Sequence, residues 1–184
     1  MAETPSSMVP LGFKAPDFNL LDPVSNTYKS RDELKSEIAT VIMFICNHCP
    51  FVKHVNNQLV KMATDYQPAG ISFIAINSND ADNYPEDSPE KMKEYALALK
   101  YPFPYLFDAD QAIAKAYDAA CTPDFYIFDK NMKCIYRGQL DDSRPGNGKL
   151  VTGKDMRNAL DAILNGQEVA KEQIPSIGCN IKWK

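Results

Sequence analysis

Thr40-Val-Ile-Met-Phe-Ile45 runs directly into Cys46-Asn47-His48-Cys49-Pro50, and the fold of this 184-residue chain is read from that junction. The first six residues form a continuous apolar run with β-branched members, the pattern of a strand buried on both faces. Pro50 suits the first position of a helix, where no backbone donor is needed. From Phe51 onward Val52, Val55, Leu59, Met62 or Ala63, and Tyr66 recur at helical spacing, and Pro68 and Gly70 end the helix. Two cysteines separated by two residues therefore sit where a buried strand turns into a helix. Backbone N–H groups at a helix N-terminus favour an anion, so a thiolate forms there more readily than in water. A free thiol titrates near 8.5, and such positions bring it to roughly 3.5–7.5.

Working outward, Phe18 to Leu21 reads as a short strand, and Ser30 with Glu33 has capping-box spacing for a short helix. Ile71 to Ile76 is a second buried strand. Asn77 to Asp87 reads as a polar loop, and Ser88-Pro89-Glu90 starts a helix that runs to about Leu99. Tyr105 to Phe107 is a strand and Gln111 to Tyr117 a short helix. Asp124 to Phe128 and Lys133 to Arg137 flank a tight loop, which predicts an antiparallel hairpin. Thr152-Gly-Lys-Asp155 is expected to cap a last helix. Strands alternating with helices predict a sheet covered on both faces, made mixed by the hairpin. One domain over residues 1–184 is expected, with a loose N-terminus over 1–10 and a C-terminal tail over 167–184.

Lys and Arg number 20 against 24 Asp and Glu, a net charge of −4 without a basic block, which argues against nucleic-acid binding. The longest apolar run is too short to span a bilayer. No secretion signal is evident at the N-terminus and the five cysteines are odd in number, so a reduced, cytoplasmic chain is expected. Nothing in the sequence specifies an oligomeric state.

The Cys46/Cys49 pair admits three readings: a reversible redox couple, two neighbouring core thiols, or soft ligands for zinc or copper together with His54. A closed tetrahedral metal site would need a further ligand from elsewhere, so no bound metal is expected, and a metal-binding or metal-delivery protein using Cys46, Cys49 and His54 stays as an alternative. His48, if protonated, would favour a thiolate. On position alone Cys46, at the strand end, is expected to face solvent and carry the lower pKa. Cys49, placed inside the first helical turn, is expected to be covered.

The strand-CxxC-helix unit, Thr122-Pro123-Asp-Phe-Tyr-Ile-Phe-Asp129, and the opening Phe13-Lys-Ala-Pro-Asp-Phe-Asn-Leu20 together resemble the thioredoxin-like superfamily, and within it the AhpC/TSA, peroxiredoxin-like branch. The resemblance covers about Leu11 to Gly166. It implies a three-layer α/β/α sandwich with a central mixed sheet, and a cis Thr122–Pro123 bond packed against the CxxC, shaping a substrate groove. It also implies a thiol–disulfide oxidoreductase with catalytic Cys46 and Cys49 and an antioxidant role. Its only redox group would be that disulfide, its partners protein or low-molecular-weight thiols and disulfides, and peroxides if Cys49 acts as a peroxidase. Two departures matter. Ile45 stands where thioredoxins carry Trp, and Cys46 stands where a peroxidatic Cys-Pro has its Thr. Cys121, Arg137 and Arg144 are auxiliary candidates; for both arginines a solvated surface loop is the plainer expectation. Cys134 is expected in the core, and Cys179 lies in the tail.

Overall fold

The computed structural model describes residues 3–184. Among the described residues, ten strands and five α-helices follow one another. β1 is Glu3–Pro5, β2 Asn19–Asp22 and β3 Thr27–Ser30, then α1 Arg31–Leu34, β4 Ala39–Phe44 and α2 Pro50–Tyr66. β5 is Ile71–Asn77, α3 Pro89–Ala98, β6 Tyr105–Phe107 and α4 Ala112–Ala116. β7 is Cys121–Thr122, β8 Asp124–Asp129, β9 Cys134–Tyr136, α5 Lys154–Leu164 and β10 Ile177–Asn180.

Seven strands form a mixed sheet in the order β3-β2-β6-β5-β4-β8-β9. β4 lies inside it, parallel to β5 from Ala39↔Ile71 to Phe44↔Ile76 and antiparallel to β8 from Ala39↔Asp129 to Phe44↔Asp124. All six of its residues are buried, as the unbroken apolar run requires. Val41, Met43 and Ile45 pack on one face with Val55, Leu59 and Met62 of α2 and with Met156 and Leu160 of α5. Ile42 and Phe44 pack on the other with Phe18, Ala114 and Tyr117. Burying each such side chain is worth about 1.5–3 kcal/mol, so β4 anchors both halves of the core.

The capping box at Ser30 is present, with Glu33 N–H donating to Ser30 Oγ at 3.2 Å. Ser88 caps α3 as its sequence suggests. α5 differs from expectation. Its N-cap is Gly153, at a φ of 69° that favours glycine, so the cap residue has no side chain of its own to offer, and Thr152 Oγ1 accepts from the Lys154 N–H at 3.3 Å. The Asp141 carboxylate also accepts from the N–H groups of Thr152 and Gly153, at 2.7 and 2.6 Å. The ends of the chain also differ. Residues 3–5 are a strand, and part of the tail is another: β10 pairs antiparallel with both β1 and β7 in a second, three-stranded sheet. The expected loose start gives way to a clasp with the tail, which folds back onto the domain.

Candidate active site

Cys46 follows the end of β4, and Cys49 is the residue that caps α2, with Pro50 at its first position. All five cysteines are free and buried. Cys46 is 1% and Cys49 0% exposed, so the expectation that Cys46 faces solvent is corrected. The sequence shows the strand end but not what the rest of the chain lays over it.

The cover comes from two directions. Thr122 contacts both sulfurs: its Oγ1 lies 3.3 Å from Cys46 Sγ, and its carbonyl accepts from the Cys49 thiol at 3.2 Å. The Thr122–Pro123 peptide bond is cis. From β10, Cys179 Sγ approaches Cys49 Sγ to 2.6 Å. Gly178 lies against the Thr122 carbonyl so closely that any Cβ would overlap it, so only glycine lets β10 dock there.

The order of acidity is also the reverse of expectation. A hydrogen bond from Cys46 outweighs burial and, with others from Cys179 and the Val52 N–H, pulls the Cys49 thiol down to about 5. Cys46 is pushed well above the ordinary thiol range by burial, by its bond to Cys49 and by the charge of Asp87. Cys49 is itself the cap residue, where the Val52 N–H favours its anion, whereas Cys46 lies beside a carboxylate.

That carboxylate was missed by reading Asn77 to Asp87 as a loop. Asp87 is fully buried and accepts from Asn47 N at 2.7 Å, Asn77 Nδ2 at 3.1 Å, Asn79 Nδ2 at 2.9 Å and His48 Nδ1 at 2.5 Å. Burial raises its pKa, but the bonds from His48 and Asn79 outweigh burial and hold it below the usual carboxylate range. The same hydrogen bond raises the pKa of His48, whose ring stacks on Tyr84 at 5.4 Å between centroids. A signal was available in the run of polar residues right after buried β5, at the carboxyl end of a parallel strand, where α/β folds place their sites.

The AhpC/TSA family profile matches residues 11–137. The chain belongs to the AhpC/TSA family. An uncharacterized conserved protein from Geobacillus kaustophilus shares 62% identity, covering 100% of this chain and 97% of its own, with a TM-score of 0.98. A hypothetical protein from Sinorhizobium meliloti 1021 shares 49% over 98% of each chain, with a TM-score of 0.95. The thioredoxin domain of a thiol-disulfide oxidoreductase from Bacteroides vulgatus is 15% identical over 71% of this chain and 91% of its own, with a TM-score of 0.59, a likeness of fold. The fold is thioredoxin-like. No curated protein matches the chain.

The remaining candidates of this AhpC/TSA chain find partners other than the pair. Arg137 is fully buried rather than in a solvated loop. It forms a bidentate ion pair with Asp124, Nη2 to Oδ2 at 2.9 Å, and its guanidinium lies 3.9 Å from the Tyr126 ring centroid. Asp124 and Arg137 thus neutralise each other in the core instead of serving a thiolate. Arg144 donates to the carbonyls of Asp141 and Ser143 and to Gln139 Oε1. With His54, Phe51 and Pro123 it lines a cavity of about 20 Å³. Cys121 donates to the Pro123 carbonyl at 3.6 Å, and burial raises its pKa. Cys134 sits in the core, as expected. Among the described residues, the only trio of metal-type donors within 4.8 Å of one another is Cys46, His48 and Asp87. His54 does not join the cysteines as the metal reading supposed, and Asp87 is already saturated with donors.

Proposed function

We propose that the chain is a thiol–disulfide oxidoreductase whose couple is Cys46 and Cys49, with Cys49 as the attacking thiolate. The observation that carries this reading is the geometry of the pair: Cys49 caps the start of α2 with Thr122 and Cys179 against its sulfur, while Cys46 lies beside the buried Asp87 carboxylate. In the cycle, the Cys49 thiolate attacks one sulfur of a substrate disulfide and displaces the other as a thiolate. Cys46 then gives up its proton and attacks Cys49, which closes the Cys46–Cys49 disulfide and releases the second substrate thiol. Two electrons pass from the pair to the substrate, and a protein or low-molecular-weight thiol returns them. The cysteines are the whole redox group, and a reducing compartment such as the cytoplasm suits them.

A second reading, a thiol peroxidase, is favoured by the same low-pKa Cys49 followed by Pro50. Against it, Arg137 is occupied by Asp124, and the position of a peroxide-binding Thr is Cys46. The deciding experiment assays disulfide reduction and hydrogen peroxide consumption side by side with the pre-reduced protein. The expected result is disulfide reduction that disappears in Cys49→Ser. Rapid peroxide turnover with little disulfide reduction would overturn the proposal in favour of the peroxidase.

A further inference from the structure

Cys179 lies beyond the family match, which ends at residue 137, yet its sulfur is 2.6 Å from that of Cys49. We infer that Cys179 is a third redox thiol, which takes Cys49 over from Cys46 and closes a Cys49–Cys179 disulfide that fastens the C-terminal strand across the site. The inference rests on the thiol–disulfide cycle proposed above and adds a second partner for its central sulfur.

The position of Cys179 is built rather than incidental. Cys179 stands opposite Thr122 in the β10–β7 ladder and opposite Glu3 in the β1–β10 ladder. On one side of β10, Ser176 Oγ donates to the Pro123 carbonyl at 2.8 Å, and on the other Lys182 N–H donates to Asn79 Oδ1 at 2.9 Å. Both ends of the strand are therefore tied to elements that also frame Cys46 and Cys49. The Thr122 carbonyl that receives the Cys49 thiol is the group Gly178 packs against.

The step is an isomerisation and needs no outside oxidant once Cys46–Cys49 has formed. The Cys179 sulfur gives up its proton and bonds to Cys49 Sγ. The Cys46–Cys49 bond breaks, and Cys46 leaves as a thiolate that takes up the proton. One S–S bond replaces another, with no net change in electrons. In the reduced protein, burial first, and then the hydrogen bond and charge of Cys49, push the Cys179 thiol up to about 12. The two contributions from Cys49 vanish when Cys49 enters a disulfide. Cys179 thus becomes easier to ionise at the moment it is required.

The test oxidises the full chain with oxidised glutathione and maps its tryptic peptides without reduction. Ser36–Lys53 carries Cys46 and Cys49, and Glu172–Lys182 carries Cys179. Wild-type protein should yield the two peptides cross-linked through Cys49 and Cys179, besides Ser36–Lys53 with an internal disulfide. Cys46→Ser should still form Cys49–Cys179, and Cys179→Ser should give only the internal disulfide. Circular dichroism checks that the variants fold, and the wild-type map depends on no variant. An internal Cys46–Cys49 disulfide with no link to Cys179, and with Cys49 of Cys46→Ser left glutathionylated, overturns this inference alone. No disulfide of any kind at the pair sinks both this inference and the proposed cycle.

Discussion

Replacing Cys46 by alanine removes the hydrogen bond that is the largest cause of the low Cys49 pKa. Hydrogen bonds to charged groups are worth about 1.5–3 kcal/mol. At about 1.36 kcal/mol per pH unit, losing one raises the midpoint of Cys49 by about one to two pH units. Starting from about 5, the variant should titrate at about 6 to 7. Because both sulfurs are sealed from solvent, the assay is the ultraviolet absorbance of the thiolate in the reduced protein, followed against pH. Cys46→Ser keeps a hydroxyl donor and should stay near the wild-type midpoint, which separates loss of the donor from loss of the sulfur. The folded pKa of Cys49 lies below the unfolded value of about 8.5, so in the interval between them the unfolded chain binds the extra proton. The stability this group contributes is therefore present above about 8.5 and is lost as pH falls through about 5. An unmoved or lower midpoint in Cys46→Ala, or a wild-type protein whose low-pH thiolate maps to Cys46, would refute the assignment of the anion to Cys49.

Three further outcomes are expected. Asp87→Asn should lower the pKa of His48, read by NMR titration of its ring. That pKa is now raised, so the stability His48 contributes is full below its unfolded pKa of about 6.5 and fades as pH rises through the folded value; the variant should lose that dependence. Gly178→Ala should destabilise the fold by about 1–3 kcal/mol in urea titrations, because a Cβ overlaps the Thr122 carbonyl, and should speed iodoacetamide labelling of Cys49. Arg137→Met strands the buried Asp124 carboxylate and should cost about 3–5 kcal/mol, with the Cys49 midpoint unchanged; a shifted midpoint would return Arg137 to the thiolate.

The elements that were legible are those whose signals are local. β4 and β5 announce themselves by apolar runs, α2 by Pro50 and its helical stripe, and α3 by Ser88 with Pro89. β1, β7 and β10 are two to four residues long and carry no alternation, so only pairing partners far along the chain make them strands. β10 even contains a glycine, which weakens a strand by propensity and here permits the close approach to Thr122. The two cysteines and Thr122-Pro123 were readable by spacing and resemblance. Which thiol ionises was not, because it depends on Asp87 and Cys179, two groups brought in by a polar loop and by the tail. Arg137 was misplaced for a related reason. A charged residue after a hairpin reads as surface until its carboxylate partner, thirteen positions earlier, is known to be buried with it.

The sealing of the two sulfurs turns a chemical rate into a mechanical one. With Cys46 and Cys49 at 1% and 0% exposure, a bulky disulfide can reach them only in the fraction of molecules whose cover has lifted. Observed reactivity is then the intrinsic rate multiplied by that opening equilibrium, and each additional 1.4 kcal/mol or so of docking energy in the β1–β10–β7 clasp slows it tenfold. Mild heat or urea well below the unfolding midpoint should therefore accelerate turnover before abolishing it. The hydrogen bonds of three short strands would then set the pace of the sulfur chemistry beneath them.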